Sequence, residues 1–206
     1  MNKIKIILIT ILAVVGALLI YNHFDKMPKE KDNINRFSKE YTLVSENNIY
    51  KYITIDEAIN ILSTKSGIVF FCTPESEWCQ KYALYLNDAV METGEKEINY
   101  LNIKDYREVN SIKYERLLEI LDNYIYKDDI NNKKIFMPDL SFVNNGIIVA
   151  HDNETSLVQS DEKIDNYWTD SKIKDFKNKI KNYVILMNEP ISNEEEEGEI
   201  EWIINI

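Results

Sequence analysis

The sequence predicts an α/β fold in which a small mixed sheet carries helices on both faces. Three observations predict it. Residues 68–71, Ile-Val-Phe-Phe, form an unbroken apolar run of strand length, the pattern of a strand buried on both sides. A helical period sets in at Cys79 and places Tyr82, Ala83, Leu86, Ala89 and Val90 on one face. Asn145-Gly146 stands between two apolar runs, which is the strongest short-range signal of a hairpin. A βα crossover requires a parallel pair and a hairpin supplies an antiparallel one, so the sheet must be mixed.

Each element follows in order. Thr54, with Asp56 and Glu57 behind it, reads as a helix cap, and Ala58, Ile59, Ile61 and Leu62 give that helix an apolar face. Gly67 ends it before the first apolar strand. Pro74 bars regular strand through 72–79, and Thr93-Gly94 closes the helix that begins near Cys79. Residues 98–103 form a second strand. A helix over 112–124 turns Tyr114, Leu117, Leu118 and Leu121 inward, and a charged loop spans 127–134. Residues 135–143 lead into the Asn145-Gly146 turn, with 147–150 returning. The last helix covers 171–187, capped by Thr169, with Ile173, Phe176, Ile180, Tyr183 and Val184 inward.

The domain sits inside a longer plan. The chain has 206 residues, 45% hydrophobic and 29% charged, a globular composition with enough apolar side chains for one core. Residues 6–24 contain no Lys, Arg, Asp or Glu, and a helix of that length spans a hydrocarbon core of about 30 Å. Lys3 and Lys5 precede it, which keeps the N-terminus inside and sends the rest across. The sequence therefore predicts a single-pass cell-membrane protein with its domain on the extracytoplasmic side. A cleaved signal peptide is the competing reading, but bulky residues follow the apolar run where a small-x-small site belongs. The expected organisation is an anchor over 1–24, a polar spacer over 25–49 with a short helix around 35–41, the domain over 50–187, and an acidic tail over 188–206. The tail carries a Glu194-to-Glu197 run that reads as solvated, then apolar residues from Trp202 to Ile206. A net charge of −11 without a basic stripe argues against nucleic acid as a partner.

The residues with chemistry gather in one loop: Cys72-Thr73-Pro74-Glu75-Ser76-Glu77-Trp78-Cys79. They include the chain's two cysteines, seven positions apart between a strand and a helix. In an oxidising compartment nearby thiols tend to pair. Three readings stay open: a structural disulfide closing the loop, a displaced redox pair, or two small core residues. Trp78 reads either as part of a peptide-binding surface or as packing. Glu75 and Glu77 read as solvated carboxylates. His23 and His151 are too scattered for a metal site, Asp152 and Glu154 read as acids at the hairpin exit, and no phosphate loop occurs, so no metal and no cofactor is expected.

The apolar strand, the irregular loop, the cysteine at a helix head, and Met137-Pro138 ahead of the hairpin strand together resemble the thioredoxin-like superfamily. The stretches 50–61 and 70–79 are similar to bacterial membrane-associated thioredoxin-like proteins, some of them bacteriocin transport accessory proteins, whose loop reads along the lines of Gly-Phe-Pro-Glu-Cys-Pro-Trp-Cys. The resemblance covers about 37–184. It implies a three-layer thioredoxin-like fold with a cis-proline at Pro138 facing the loop. It also implies that Ser76 occupies the place of the attacking cysteine and Cys79 that of the resolving one. A serine hydroxyl neither ionises like a thiol nor forms a disulfide, so the ordinary C-x-x-C cycle is broken. Two functions are then expected to compete. One is a redox-impaired accessory module binding an extended polypeptide or membrane-protein partner at Ser76, Trp78, Cys79, Met137 and Pro138. The other is an atypical thiol–disulfide oxidoreductase using Cys72 and Cys79.

Overall fold

A computed structural model of the chain describes residues 30–109, 111–128, 132–159 and 162–190. The predicted anchor over 1–24 and nearly all of the acidic tail lie outside the described residues. Among the described residues no helix is long and apolar enough to cross a membrane.

Five strands form one mixed sheet: β1 (Tyr50–Tyr52), β2 (Gly67–Cys72), β3 (Ile98–Asn102), β6 (Asp139–Asn144) and β7 (Ile147–Asp152), in the spatial order β1-β3-β2-β6-β7. β2 runs parallel to β3, which runs parallel to β1, whereas β6 is antiparallel to both β2 and β7. The apolar run read from the sequence is thus the central strand, and its residues from Ile68 to Cys72 are all buried. Helices α1 (Glu30–Glu40), α2 (Ile55–Thr64), α3 (Glu77–Met91), α4 (Lys104–Val109), α5 (Ile112–Ile120), α6 (Glu154–Leu157), α7 (Ile164–Tyr167) and α8 (Asp170–Asn188) surround the sheet. Alternation along β2 divides the core. Ile68, Phe70 and Cys72 face α3 and α8 through Tyr82, Leu86, Phe176 and Ile180. Val69 and Phe71 face α2 and α5 through Ala58, Leu62 and Leu117.

The predicted caps hold. Thr54 and Glu57 form a reciprocal capping box on α2, and the Thr169 hydroxyl accepts from the Lys172 N–H at the head of α8. The hairpin turns at Asn145 and Gly146, both at positive φ. A side chain on Gly146 would meet the Ser63 carbonyl oxygen at 2.3 Å, so only glycine fits beneath the end of α2.

Four elements differ from the sequence reading. Residues 25–49 read as a spacer, yet Phe37, Tyr41 and Val44 of that stretch are buried in the core. Phe37 stacks between Tyr41 at 4.2 Å and Tyr50 at 3.7 Å, and the Tyr41 hydroxyl donates to that of Tyr100. Aromatic area, not aliphatic periodicity, makes that helix part of the domain. The helix expected over 112–124 ends at Ile120, where Leu121 and Tyr124 turn the chain so that the Tyr124 hydroxyl reaches the Ile148 carbonyl. The charged loop over 127–134 carries a short antiparallel ribbon, β4 (Tyr126–Lys127) with β5 (Lys133–Lys134). Finally β7 continues to Asp152, beyond the predicted 150, and two short helices, α6 and α7, follow it.

Candidate functional site: a sealed disulfide loop and its cleft

β2 ends at Cys72 and α3 begins at Glu77, so the loop between them has only Thr73, Pro74, Glu75 and Ser76 with which to reverse direction. Cys72 and Cys79 are joined by a disulfide across a Cα separation of 5.9 Å, inside the range that the bond requires. Of the three readings left open by the sequence, the two-thiol core is thereby set aside. Both cysteines are fully shielded, at 0% exposure. Closing so short a loop stabilises the fold by about 2.5 kcal/mol on the chain-entropy account.

The loop is fixed by more than the disulfide. Ser76 is the N-cap of α3, and its hydroxyl accepts from the Cys79 N–H at 3.3 Å. The Thr73 N–H donates to Cys79 Sγ at 3.4 Å. The Gln80 side-chain amide donates to the carbonyls of Pro74 and Glu40, each at 2.8 Å, and so ties the loop to the end of α1. The Thr73 hydroxyl donates to the Glu75 carboxylate. That bond, aided by Lys104 at 3.9 Å, holds Glu75 below the usual carboxylate range.

Of the other predicted residues, Met137 comes to the same rim, with Pro138 buried beside it. The Met137–Pro138 bond is cis. Phe71 pairs with Asp139 across β2 and β6, so the next step in that register sets Pro138 opposite Cys72. Pro138 itself is buried while Met137 is half-buried. The Met137 carbonyl accepts from the Gln159 amide at 2.7 Å. Trp78 is half-buried and lies edge-on to Tyr167 at 5.4 Å, with Lys172 4.9 Å over the Tyr167 ring. The Trp78 ring therefore packs against Tyr167 beside the loop.

An open cleft of about 460 Å³ lies beside the disulfide, lined by Thr73, Glu75, Ser76 and Met137 together with Lys104, Arg107 and Lys134. The three cations were missed in the sequence. A signal for Lys104 was present: β2 and β3 are parallel, so residues just past their C-terminal ends share one edge of the sheet. Lys134 had none, because it reaches the cleft from the β5 ribbon.

His151 and Asp152, set aside in the sequence, are both interior. Asp152 pairs with Leu140 and faces α3 and α8, where it accepts from the Tyr82 hydroxyl and Lys179 Nζ at 2.6 Å each. His151 pairs with Ser141 on the opposite face; its Nδ1 is 3.1 Å from Ser141 Oγ and its Nε2 3.3 Å from Asp139 Oδ2. Serine, histidine and aspartate in a row invite comparison with a hydrolytic triad. Ser141 and Asp139 are both at 0% exposure, so no substrate reaches that hydroxyl, and the array is interior architecture.

Neither a known protein family nor a curated protein matches the sequence. Among the described residues no cluster of His, Cys, Asp and Glu is arranged to hold a metal.

Proposed function

We propose that this chain is an extracytoplasmic protein, tethered by residues 1–24, whose thioredoxin-like domain docks an extended polypeptide at the disulfide rim and does not carry out thiol–disulfide exchange. The mixed sheet with a cis X–Pro bond level with the disulfide, and a helix opening just beyond the loop, support the thioredoxin-like reading. The observation that carries the function is the seal on the sulfurs. Exchange needs a thiolate at a helix head with a path to a substrate disulfide. Here a serine caps that helix, and both cysteines are buried in a bond behind it. What the rim does offer is an open cleft with Met137 and polar side chains along its wall, suited to holding a chain in place.

Two measurements on the full-length chain in detergent micelles test this. The first follows the Cys72–Cys79 bond by mass spectrometry across a graded dithiol buffer, beside an insulin-reduction assay. The bond is expected to persist until the protein unfolds, with insulin reduced at the buffer's own rate. Ser76→Cys combined with Cys72→Ala, which frees Cys79 as a resolving thiol, is expected to gain insulin reduction. A wild-type bond that opens in the folded protein and turns over insulin would replace the docking reading with an atypical oxidoreductase working through Cys72 and Cys79. The second measures binding of a labelled, cysteine-free unfolded polypeptide by fluorescence anisotropy. Met137→Asp is expected to weaken it at least tenfold, about 1.4 kcal/mol. Absence of binding by the wild-type chain would overturn docking itself.

A further inference from the structure

We infer that α1 is a clasp on the disulfide loop, and that its seating decides whether the Cys72–Cys79 bond can be reached from solvent; the inference rests on the sealed bond of the docking reading and concerns how that seal is released. Two chains of hydrogen bonds leave the loop, and both end where α1 ends. In one, the Gln80 side-chain amide on α3 donates to the Pro74 carbonyl and to the Glu40 carbonyl, each at 2.8 Å. Gln80 Oε1 is buried with no hydrogen bond among the described residues, so these two donated bonds orient the side chain. In the other chain, the Tyr41 hydroxyl donates to the Tyr100 hydroxyl at 3.1 Å, which donates in turn to the Cys72 carbonyl at 3.4 Å. Glu40 closes α1 and Tyr41 follows it, so one turn of chain holds the loop at Pro74 and at Cys72, itself a partner in the disulfide. Tyr41 and Tyr100 are fully buried, so a link broken here leaves its partners unsatisfied while the helix stays seated.

α1 is also held less firmly than the helices behind the sheet. α3 and α8 each bury a full apolar stripe, Tyr82, Ala83 and Leu86 on the one and Phe176, Ile180 and Val184 on the other. α1 buries Asn33 and Phe37, with Tyr41 just past its end. A helix of 11 residues has little stability of its own. It lies against β1, a three-residue strand at the edge of the sheet, with Phe37 stacked on Tyr50 and the Tyr52 hydroxyl donating to Glu40 at 2.7 Å. Elements held at an edge by few apolar side chains open at lower free energy than the centre of the fold. When α1 lifts, the loop keeps its internal bonds, from the Thr73 N–H to Cys79 Sγ and from the Cys79 N–H to the Ser76 hydroxyl, and loses both ties to α1. α1 is the first described element after the stretch read as the tether, so a displacement arriving from the membrane side acts on it first.

The test follows reduction of the bond in the full-length chain in neutral detergent, at urea concentrations below the unfolding transition. Dithiothreitol passes two electrons and two protons to the disulfide and is itself oxidised to its cyclic disulfide, leaving Cys72 and Cys79 as thiols that iodoacetamide traps for mass spectrometry. In the wild type the rate is expected to climb with urea in step with global unfolding, because the unfolded chain is the form that exposes the bond. Gln80→Leu/Tyr41→Phe removes both links and keeps the bulk of both side chains. Its reduction without urea is expected to be at least about tenfold faster and nearly independent of urea, the mark of a small local opening. Ser141→Ala lowers stability away from the loop, and its rate is expected to rise only as far as its own unfolding equilibrium dictates. Tyr41→Phe alone, which leaves the ring in the core, is expected to show a smaller urea-independent gain and serves should the double variant fail to fold. Variant rates that follow each protein's own global stability overturn the clasp and leave the sealed bond in place. A wild-type rate already independent of urea overturns the seal itself, and the clasp with it.

Discussion

Asp139 and Asp152 sit on adjacent strands of one hairpin, both shielded from water, and the fold treats them differently. Asp152 points towards α3 and α8, where a tyrosine hydroxyl and a lysine ammonium each approach its carboxylate to 2.6 Å. Asp139 points to the other face, and neither of its oxygens has a well-formed hydrogen bond among the described residues. His151 Nε2 comes within 3.3 Å, near enough for Coulomb attraction. Burial pushes the Asp139 carboxyl up from its ordinary value, and the neighbouring His151 only partly opposes that. A buried carboxylate stays ionised when donors neutralise it and drifts towards the neutral acid when they do not. One hairpin thus holds an aspartate with two close donors on one face and, on the other, an aspartate whose burial raises its pKa.

The largest effect is expected from breaking the satisfied side. Lys179→Met removes the ammonium and leaves Asp152, 1% exposed at its side chain, with Tyr82 as its remaining donor. Lys179 is itself partly exposed, so the loss is expected at about 2 kcal/mol, below the roughly 3–5 of a fully buried pair. Urea unfolding at neutral pH measures it. Asp152→Asn added to Lys179→Met is expected to recover most of the loss, because the orphan charge disappears. A double variant no better than Lys179→Met would place the cost in lost packing of the lysine stem along Phe176.

The second effect changes with pH. Because the folded pKa of Asp139 is raised, its contribution to stability is complete below the unfolded value and is lost as pH rises through the folded one. An asparagine in its place would stay neutral throughout. Asp139→Asn is therefore expected to gain stability relative to the wild type as the pH rises from the ordinary carboxyl value, about 4, through the higher folded one. Thermal unfolding of both proteins across that range reads the difference. A variant that instead loses stability relative to the wild type as the pH rises past about 4 would mean that Asp139 is held as an ion pair with His151, and the contrast between the two faces would disappear.

Neither aspartate's role was legible in the sequence, and the reason is physical. Tyr82 and Asp152 are 70 residues apart, and Lys179 lies 27 beyond Asp152. Local propensity carries no information about such pairs; strand register brings them together. The elements read correctly were those whose causes are local: the Thr54 and Glu57 box, the Asn145-Gly146 turn, the Thr169 cap and the apolar run of β2. The loop was half legible. Two cysteines seven residues apart announced that a bridge was within reach, but its burial and the Gln80 latch to Glu40 depend on α1, which the sequence presented as a polar spacer. The short helix expected around 35–41 forms, but its place in the core was not legible, because it rests on Phe37 and Tyr41, two rings in an otherwise polar stretch.

The smallest effect sharpens the contrast from the under-partnered side. Ser141 Oγ lies 3.1 Å from His151 Nδ1, and Tyr124 packs on the same imidazole with ring centroids 5.0 Å apart. If His151 is held chiefly by these neutral contacts, removing the hydroxyl costs one hydrogen bond in a buried setting. Ser141→Ala is then expected to lose about 1 kcal/mol, less than Lys179→Met. The histidine ring nitrogens, followed by NMR, are expected to show a loosened tautomer preference in the variant, because the serine no longer fixes which nitrogen carries the proton. A loss larger than that of Lys179→Met would reverse the ranking. It would mean that the face holding Asp139 depends on its short Ser141–His151–Asp139 array more than the other face depends on a lysine–carboxylate pair.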